Sequence, residues 1–232
     1  MKHNYEMPYL YHLTRRVPVI IRLDGKSFHS YTRGCDKPFD EHLSRAMCLT
    51  ATDLIKAIGG AKIAYTQSDE ISILVTDYDD IYTDAWYDYN VQKLCSITAS
   101  MCTALFNMYF RHPREIQTRL ATFDSRVFNV PKEEVMNYFL WRQQDWIRNS
   151  VQMCAQHLYS PKELHKKNNE VMKEMIKERG MDWDLLSDMW KYGTFITRLS
   201  GACGGGIKES RSVKAGSPRL QSWEECPLIL IL

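Results

Sequence analysis

The sequence has no CxxC pair, no apolar run near the ~20 residues a bilayer span needs, and almost no charge bias. Each absence excludes something. The seven cysteines (Cys35, Cys48, Cys95, Cys102, Cys154, Cys203 and Cys226) are odd in number and several sit inside helical patterns. Neither a disulfide framework nor a zinc site is expected, and free thiols in a reducing cytoplasm are. The formal net charge is +2, so no global field draws nucleic acid to the molecule. Any phosphate or RNA site must come from local clusters of Lys and Arg. Repeats and low-complexity segments are lacking too. The stretch MKHNYEMPYLYHLTRR has no apolar h-region, so a secretory signal is not expected. The tail CPLILIL is too short for an anchor and reads as a buried strand or interface segment. A cytoplasmic protein with no membrane partner is therefore expected. What is present suits a folded core: 232 residues, 44% hydrophobic and 25% charged.

Val17–Leu23 reads as a strand, apolar except for Arg22. Residues 40–58 carry an apolar stripe at helical spacing (Leu43, Met47, Ala51, Leu54, Ile55, Ile58), and Gly59-Gly60 stops it. Residues 61–76 read as a hairpin with Gln67-Ser68-Asp69 at its turn. A second helix spans about 91–109, and Leu120–Val130 is a fourth strand. Pro131 suits the first turn of a long helix reaching about Leu158. Ser160-Pro161-Lys162-Glu163 opens another with capping-box spacing. Beyond Gly180 the pattern weakens, and 201–206 (GACGGG) reads as a flexible loop without P-loop features. The order β-α-β-β-α-β is the ferredoxin-like split βαβ arrangement, an α+β fold. We expect a core over 1–130 and a helical extension over 131–232 packed on it.

In that topology the first and third strands are antiparallel neighbours. The end of one lies beside the start of the other, which brings Asp24 to Asp69 and Glu70. Read alone, Asp24-Gly25 and Ser68-Asp69-Glu70 are ordinary turns. Read together, they are carboxylates that repel unless a cation or a shared proton intervenes. Oxygen ligands of this kind favour Mg²⁺, and two such ions can serve a phosphoryl transfer. Gly25 allows close backbone approach, and the N–H groups from Gly25 to His29 suit a triphosphate. Lys37 and Lys93 add charge or are solvated surface lysines; Phe28 and His29 can pack on a base or sugar. Further on, Arg142, Asp145, Arg148, Asn149 and Gln152 share one helix face. That face is either an exposed ion-paired surface or one that meets RNA phosphates or a nucleotide. Tyr138, Phe139 and Trp141 read as core or interface.

The ordered segments RLDGKSFHSYTRG, KPFDEHL, AYTQSDEISIL, QKLCSITAS, FDSRVFNVP and NYFLWRQQDWIRNS resemble the tRNA-His guanylyltransferase family, the 3′–5′ RNA polymerases. The resemblance runs from about Val17 to Ser160, with a weaker echo in MDWDLLSDMWKYGTFITR. It implies a palm like that of polymerases and nucleotide cyclases. It implies Asp24, Gly25 and Asp69 as metal ligands for two Mg²⁺, with Asp24, Asp69 and Glu70 as the catalytic acids. It implies a nucleotide site at Asp24, Gly25, Lys26, Ser27, Phe28, His29, Lys37, Ser68, Asp69 and Lys93, taking ATP and GTP or another NTP. Arg142, Arg148 and Asn149 of the shared helix face, with Lys191, are the RNA-contact candidates, and the family is commonly tetrameric, so a homotetramer is expected. The reaction it implies is ATP activation of a tRNA 5′ phosphate, then attack by the 3′-hydroxyl of an NTP. Where eukaryotic members carry a HINNLYN-like stretch, this chain has Arg148-Asn149-Ser150-Val151-Gln152. That resembles the bacterial and archaeal branch, associated with template-dependent repair of tRNA 5′ ends. A palm-domain cyclase and a non-catalytic RNA-binding protein are the alternatives.

Overall fold

A computed structural model describes residues 1–114, 119–198 and 207–210. Strand β1 (Val19–Gly25) is followed by the single-turn helix α1 (Phe28–Tyr31) and by α2 (Glu41–Ala57). The hairpin β2 (Ala61–Gln67) and β3 (Glu70–Val75) leads to α3 (Val91–Tyr109) and β4 (Phe123–Asn129). Then come α4 (Val135–Leu158), α5 (Pro161–Leu164), α6 (Asn169–Glu178), α7 (Asp188–Tyr192), β5 (Thr194–Arg198) and β6 (Ile207–Ser210).

The sheet order is β4-β1-β3-β2-β5-β6, and the first four strands form the expected split βαβ core. Sequence period explains the layers. Alternate residues of a strand face opposite sides, and both sides of β1 are covered. Val19, Ile21 and Leu23 face a core shared with Leu54 and Ile55 of α2 and Phe106 of α3. Ile20 faces a second core with Tyr138 and Phe139 of α4. A strand buried on both faces reads as a continuous apolar run rather than an alternating one. A third cluster joins Val151 and Cys154 of α4 to Met172 and Ile176 of α6 and to Trp183.

Local signals set the ends. Asp40 caps α2 by accepting the Leu43 N–H, and Asn90 caps α3 by accepting that of Lys93. Gly60, at φ +77°, turns the chain into β2. The Ser160–Glu163 capping box forms, but its helix stops after four residues. Pro131 precedes a 3₁₀ turn (Lys132–Glu134) before α4 begins.

The expected helical extension also contributes strands. After α7 the chain returns to the sheet, where β5 pairs antiparallel with β2 (Ile63↔Thr197, Tyr65↔Phe195). The run TFITR is β-branched and aromatic, and it covers the outer edge that β2 would otherwise expose. Residues 201–206 and the CPLILIL tail lie outside the described residues.

Candidate active site

The site grows from the junction of β1, β3 and β4. Asp24 stands directly across from Glu70 on one side and from Asp124 on the other. The Gly25 N–H donates to the Asp69 carbonyl at 3.1 Å, which ties the end of β1 to the hairpin turn. Ser68 in that turn sits at φ +48°. Gly25 is fixed by space: a Cβ there would lie 2.3 Å from the Phe28 ring. Phe28 cannot yield, since its ring packs against Phe123 (5.0 Å) and Phe106 (5.4 Å).

The acids differ in state. Burial pushes the Asp69 carboxyl up to about 6; a Ser68 hydrogen bond opposes this, and the charges of Asp24 and Glu70 add to it. Glu70 is buried and fully engaged. Arg142 Nε donates to its Oε1 at 2.7 Å and Nη2 to its Oε2 at 2.6 Å. Ser72 Oγ donates to Oε1 at 3.2 Å and also meets Tyr138 Oη at 2.8 Å. Arg22 stands between the acids, 3.8 Å from Asp24 and 3.9 Å from Glu70. Glu70 is thus held by the protein, while Asp24 has only the looser Arg22 contact and Asp69 no ion pair among the described residues.

Beside Asp69 opens a cavity of about 310 Å³. Its lining includes Ser68, Asp69, Lys37 and His29 together with the aromatic Phe39, Trp146 and Trp190. Phe39 and Trp190 stack at 5.2 Å. Trp146 is only 4% exposed, and the indole nitrogens of Trp146 and Trp190 have no hydrogen-bond partner among the described residues.

Several expected residues fall elsewhere or serve otherwise. The Gly25 and Lys26 N–H groups are spent on the carbonyls of Asp69 and Thr122. That leaves Ser27, Phe28 and His29, whose N–H groups no described acceptor takes. Phe28 belongs to the aromatic core. Lys93 is at the far end of the sheet. Along α3, Thr103 meets Phe123 and Thr98 meets Ser125, so Lys93 falls beside the end of β4, away from Asp24. Spacing along the sequence could not show which end of the helix adjoins the acids. Arg142 is 7% exposed and points into the sheet, not toward an RNA. Periodicity defines its face but not what covers that face. Arg148 is exposed and pairs with Asp145, which also accepts from Asn149. Lys191 bonds the Asp184 carbonyl at 3.0 Å and pairs with Asp188 at 3.2 Å, leaving its side chain 12% exposed.

Sequence reasoning missed the far rim. Asp40 Oδ2 accepts from His112 Nε2 (3.1 Å), whose Nδ1 accepts the Arg114 N–H (3.2 Å). Burial alone would raise the Asp40 carboxyl, but the Leu43 and Asp36 N–H groups and His112 hold it below the ordinary range. Asp36 and Asp40 present oxygens near the same imidazole. Both ring nitrogens and both Asp40 oxygens already have partners, so the group reads as a brace between α2 and the segment after α3. The helix cap at Asp40 was the one local signal.

A family model described as tRNAHis guanylyltransferase matches residues 1–131. The chain belongs to this family. Its members are nucleotidyltransferases. An uncharacterized protein of Acanthamoeba polyphaga mimivirus is 32% identical over 77% of this chain and 69% of its own length. The tRNA(His) guanylyltransferase of Saccharomyces cerevisiae is 26% identical over 78% of this chain and 82% of its own. Among solved structures, a bacterial tRNA(His) guanylyltransferase-like protein in complex with ATP superposes with a TM-score of 0.83 and 42% identity. That match covers 89% of this chain and 88% of the other. A bacterial relative in complex with GTP gives 0.77 and 38%, covering 91% and 90%.

Proposed function

We propose that this tRNA-His guanylyltransferase-family protein is a Mg²⁺-dependent nucleotidyltransferase that extends or repairs tRNA 5′ ends in the 3′–5′ direction. The observation that carries the reading is the tie between the end of β1 and the hairpin turn, where the Gly25 N–H donates to the Asp69 carbonyl, so that Asp24 acts on Asp69, which lines the cavity. A half-buried carboxyl raised to about 6 beside two further acids is penalised without a counter-charge, so the residues fit a divalent cation. Asp24, Asp69 and the Gly25 carbonyl are the groups that would hold it. When bound, two Mg²⁺ supply charge neutralisation and activation of an attacking oxygen.

The chain's own residues position the reactants. Lys37, Ser68 and the N–H groups of Ser27, Phe28 and His29 suit a triphosphate. The wall of Phe39, Trp146 and Trp190 suits a base face. In the first step an oxygen of the tRNA 5′ phosphate attacks the α-phosphorus of ATP, and pyrophosphate leaves. In the second, the 3′-hydroxyl of an NTP attacks the activated 5′ phosphorus, and AMP leaves. Neither step uses a protein nucleophile, and catalysis rests on orientation. The Arg148–Gln152 stretch, together with the chain's 42% identity to a bacterial tRNA(His) guanylyltransferase-like protein, supports repair of truncated ends over strict single-G addition. Arg148 and Asn149 remain the RNA-contact candidates. Exposed Tyr5, Tyr9 and Tyr11 support assembly into a tetramer, which light scattering tests. Among the described residues no helix is long and apolar enough to cross a membrane, compatible with action in the cytoplasm. Incubation with 5′-truncated tRNA, ATP, NTPs and Mg²⁺ tests the reading. Product longer by one or more nucleotides supports it; none, with folded protein, overturns it.

A further inference from the structure

We propose that Arg142 is a positioning residue for the two cation-binding aspartates, acting through Glu70. The inference rests on the nucleotidyltransferase reading above. Both partners are buried, and their contact is a two-point fork at 2.7 and 2.6 Å. A buried ion pair of this kind gives little net stability over an apolar pair of similar volume. Its position gives it another use. Glu70 adjoins Asp69 in the chain and faces Asp24 across the ladder. Its carboxylate has two candidate cations, Arg142 in full contact and Arg22 at 3.9 Å. Arg142 satisfies Glu70 and draws it away from Arg22. The charge presented to a cation is then set by Asp24 and Asp69, without a third free carboxylate. The hold is doubled one helical turn earlier, where Tyr138 Oη meets Ser72 Oγ and Ser72 bonds Glu70. Helix α4 thus grips the first residues of β3 from its buried face.

This is outer support for ligand groups, and loss of such support typically reduces metal affinity or activity about 10- to 100-fold. Arg142→Met alone strands a buried carboxylate and is expected to unfold readily. The informative variant is Glu70→Met with Arg142→Met, which removes both charges and keeps the volume. Its thermal midpoint should stay near that of the parent. Its affinity for Mn²⁺, read by electron paramagnetic resonance without substrate, should fall about tenfold or more. On 5′-truncated tRNA its kcat should fall within that range while KM for tRNA is unchanged. Arg142→Lys keeps the charge without the fork and should give an intermediate Mn²⁺ affinity. A double variant that folds, binds Mn²⁺ as the parent does and keeps its kcat would overturn the proposal and leave the pair a packing element. A parent inactive on tRNA would refute the function instead, while the Mn²⁺ titration would still decide the role of Arg142.

Discussion

Replacing Asp69 with Asn should make the cation-free protein more stable at neutral pH while abolishing nucleotide addition. In the unfolded chain this carboxyl has its ordinary value of 3.8; in the fold it is raised to about 6, first by burial and then by Asp24 and Glu70. A raised folded value means the native state binds the proton more tightly than the unfolded one. Well below pH 3.8 both states are protonated and Asp69 costs nothing. Between pH 4 and 6 the native state loses relative stability as pH rises. Above pH 6 the full penalty is present. Two pKa units correspond to about 3 kcal/mol, and partial solvent access brings the expectation to about 1–3 kcal/mol. Urea unfolding in EDTA, at pH 4 and pH 8, reads it. Asp69→Asn should gain that amount at pH 8 and only a small fraction of it at pH 4. Adding Mg²⁺ should stabilise the parent and leave the variant unmoved. A variant no more stable than the parent at pH 8 would refute the claim that burial and neighbouring acids strain this carboxyl.

Other outcomes follow from the same geometry. Gly25→Ala puts a Cβ 2.3 Å from the Phe28 ring and should cost about 1–3 kcal/mol in a denaturant titration, with loss of addition activity. Leu54→Ala empties a fully buried position between α2 and the sheet and should cost about 2–5 kcal/mol by the same measurement. Lys37→Ala should raise KM for the nucleoside triphosphate in steady-state kinetics. Lys93→Ala, at the far end of the sheet, should leave that KM unchanged; an equal rise for both would contradict the placement of Lys93.

The juxtaposition at the centre of the candidate site was legible because two local signals come together through a simple topology. Asp24 ends an apolar strand, Asp69 tips a hairpin, and the split βαβ order makes their strands neighbours. What stayed hidden depended on contacts far apart in sequence. Nothing near Arg142 says that its face turns into the sheet, because helical spacing reports a face and not its cover. His112 reaches Asp40 across 72 positions, through a connection without a periodic pattern. Strand β5 is five residues long, and its partner β2 lies over 120 positions earlier. The position of Lys93 was hidden for a related reason, since its motif lies on a helix whose opposite end nears the acids. Short polar motifs place chemistry well when they end strands. They place it poorly along a long helix, where about 1.5 Å of rise per residue carries a side chain across the molecule.

The most direct test is the tRNA assay with Asp24→Ala and Asp69→Ala beside the parent. Purified protein is given 5′-truncated tRNA, ATP, all NTPs and Mg²⁺, and the RNA is resolved at single-nucleotide length. The parent should lengthen the RNA at its 5′ end, and both folded variants should not. Extension that persists in either variant, or no extension by the folded parent, would contradict an active site built on Asp24 and Asp69.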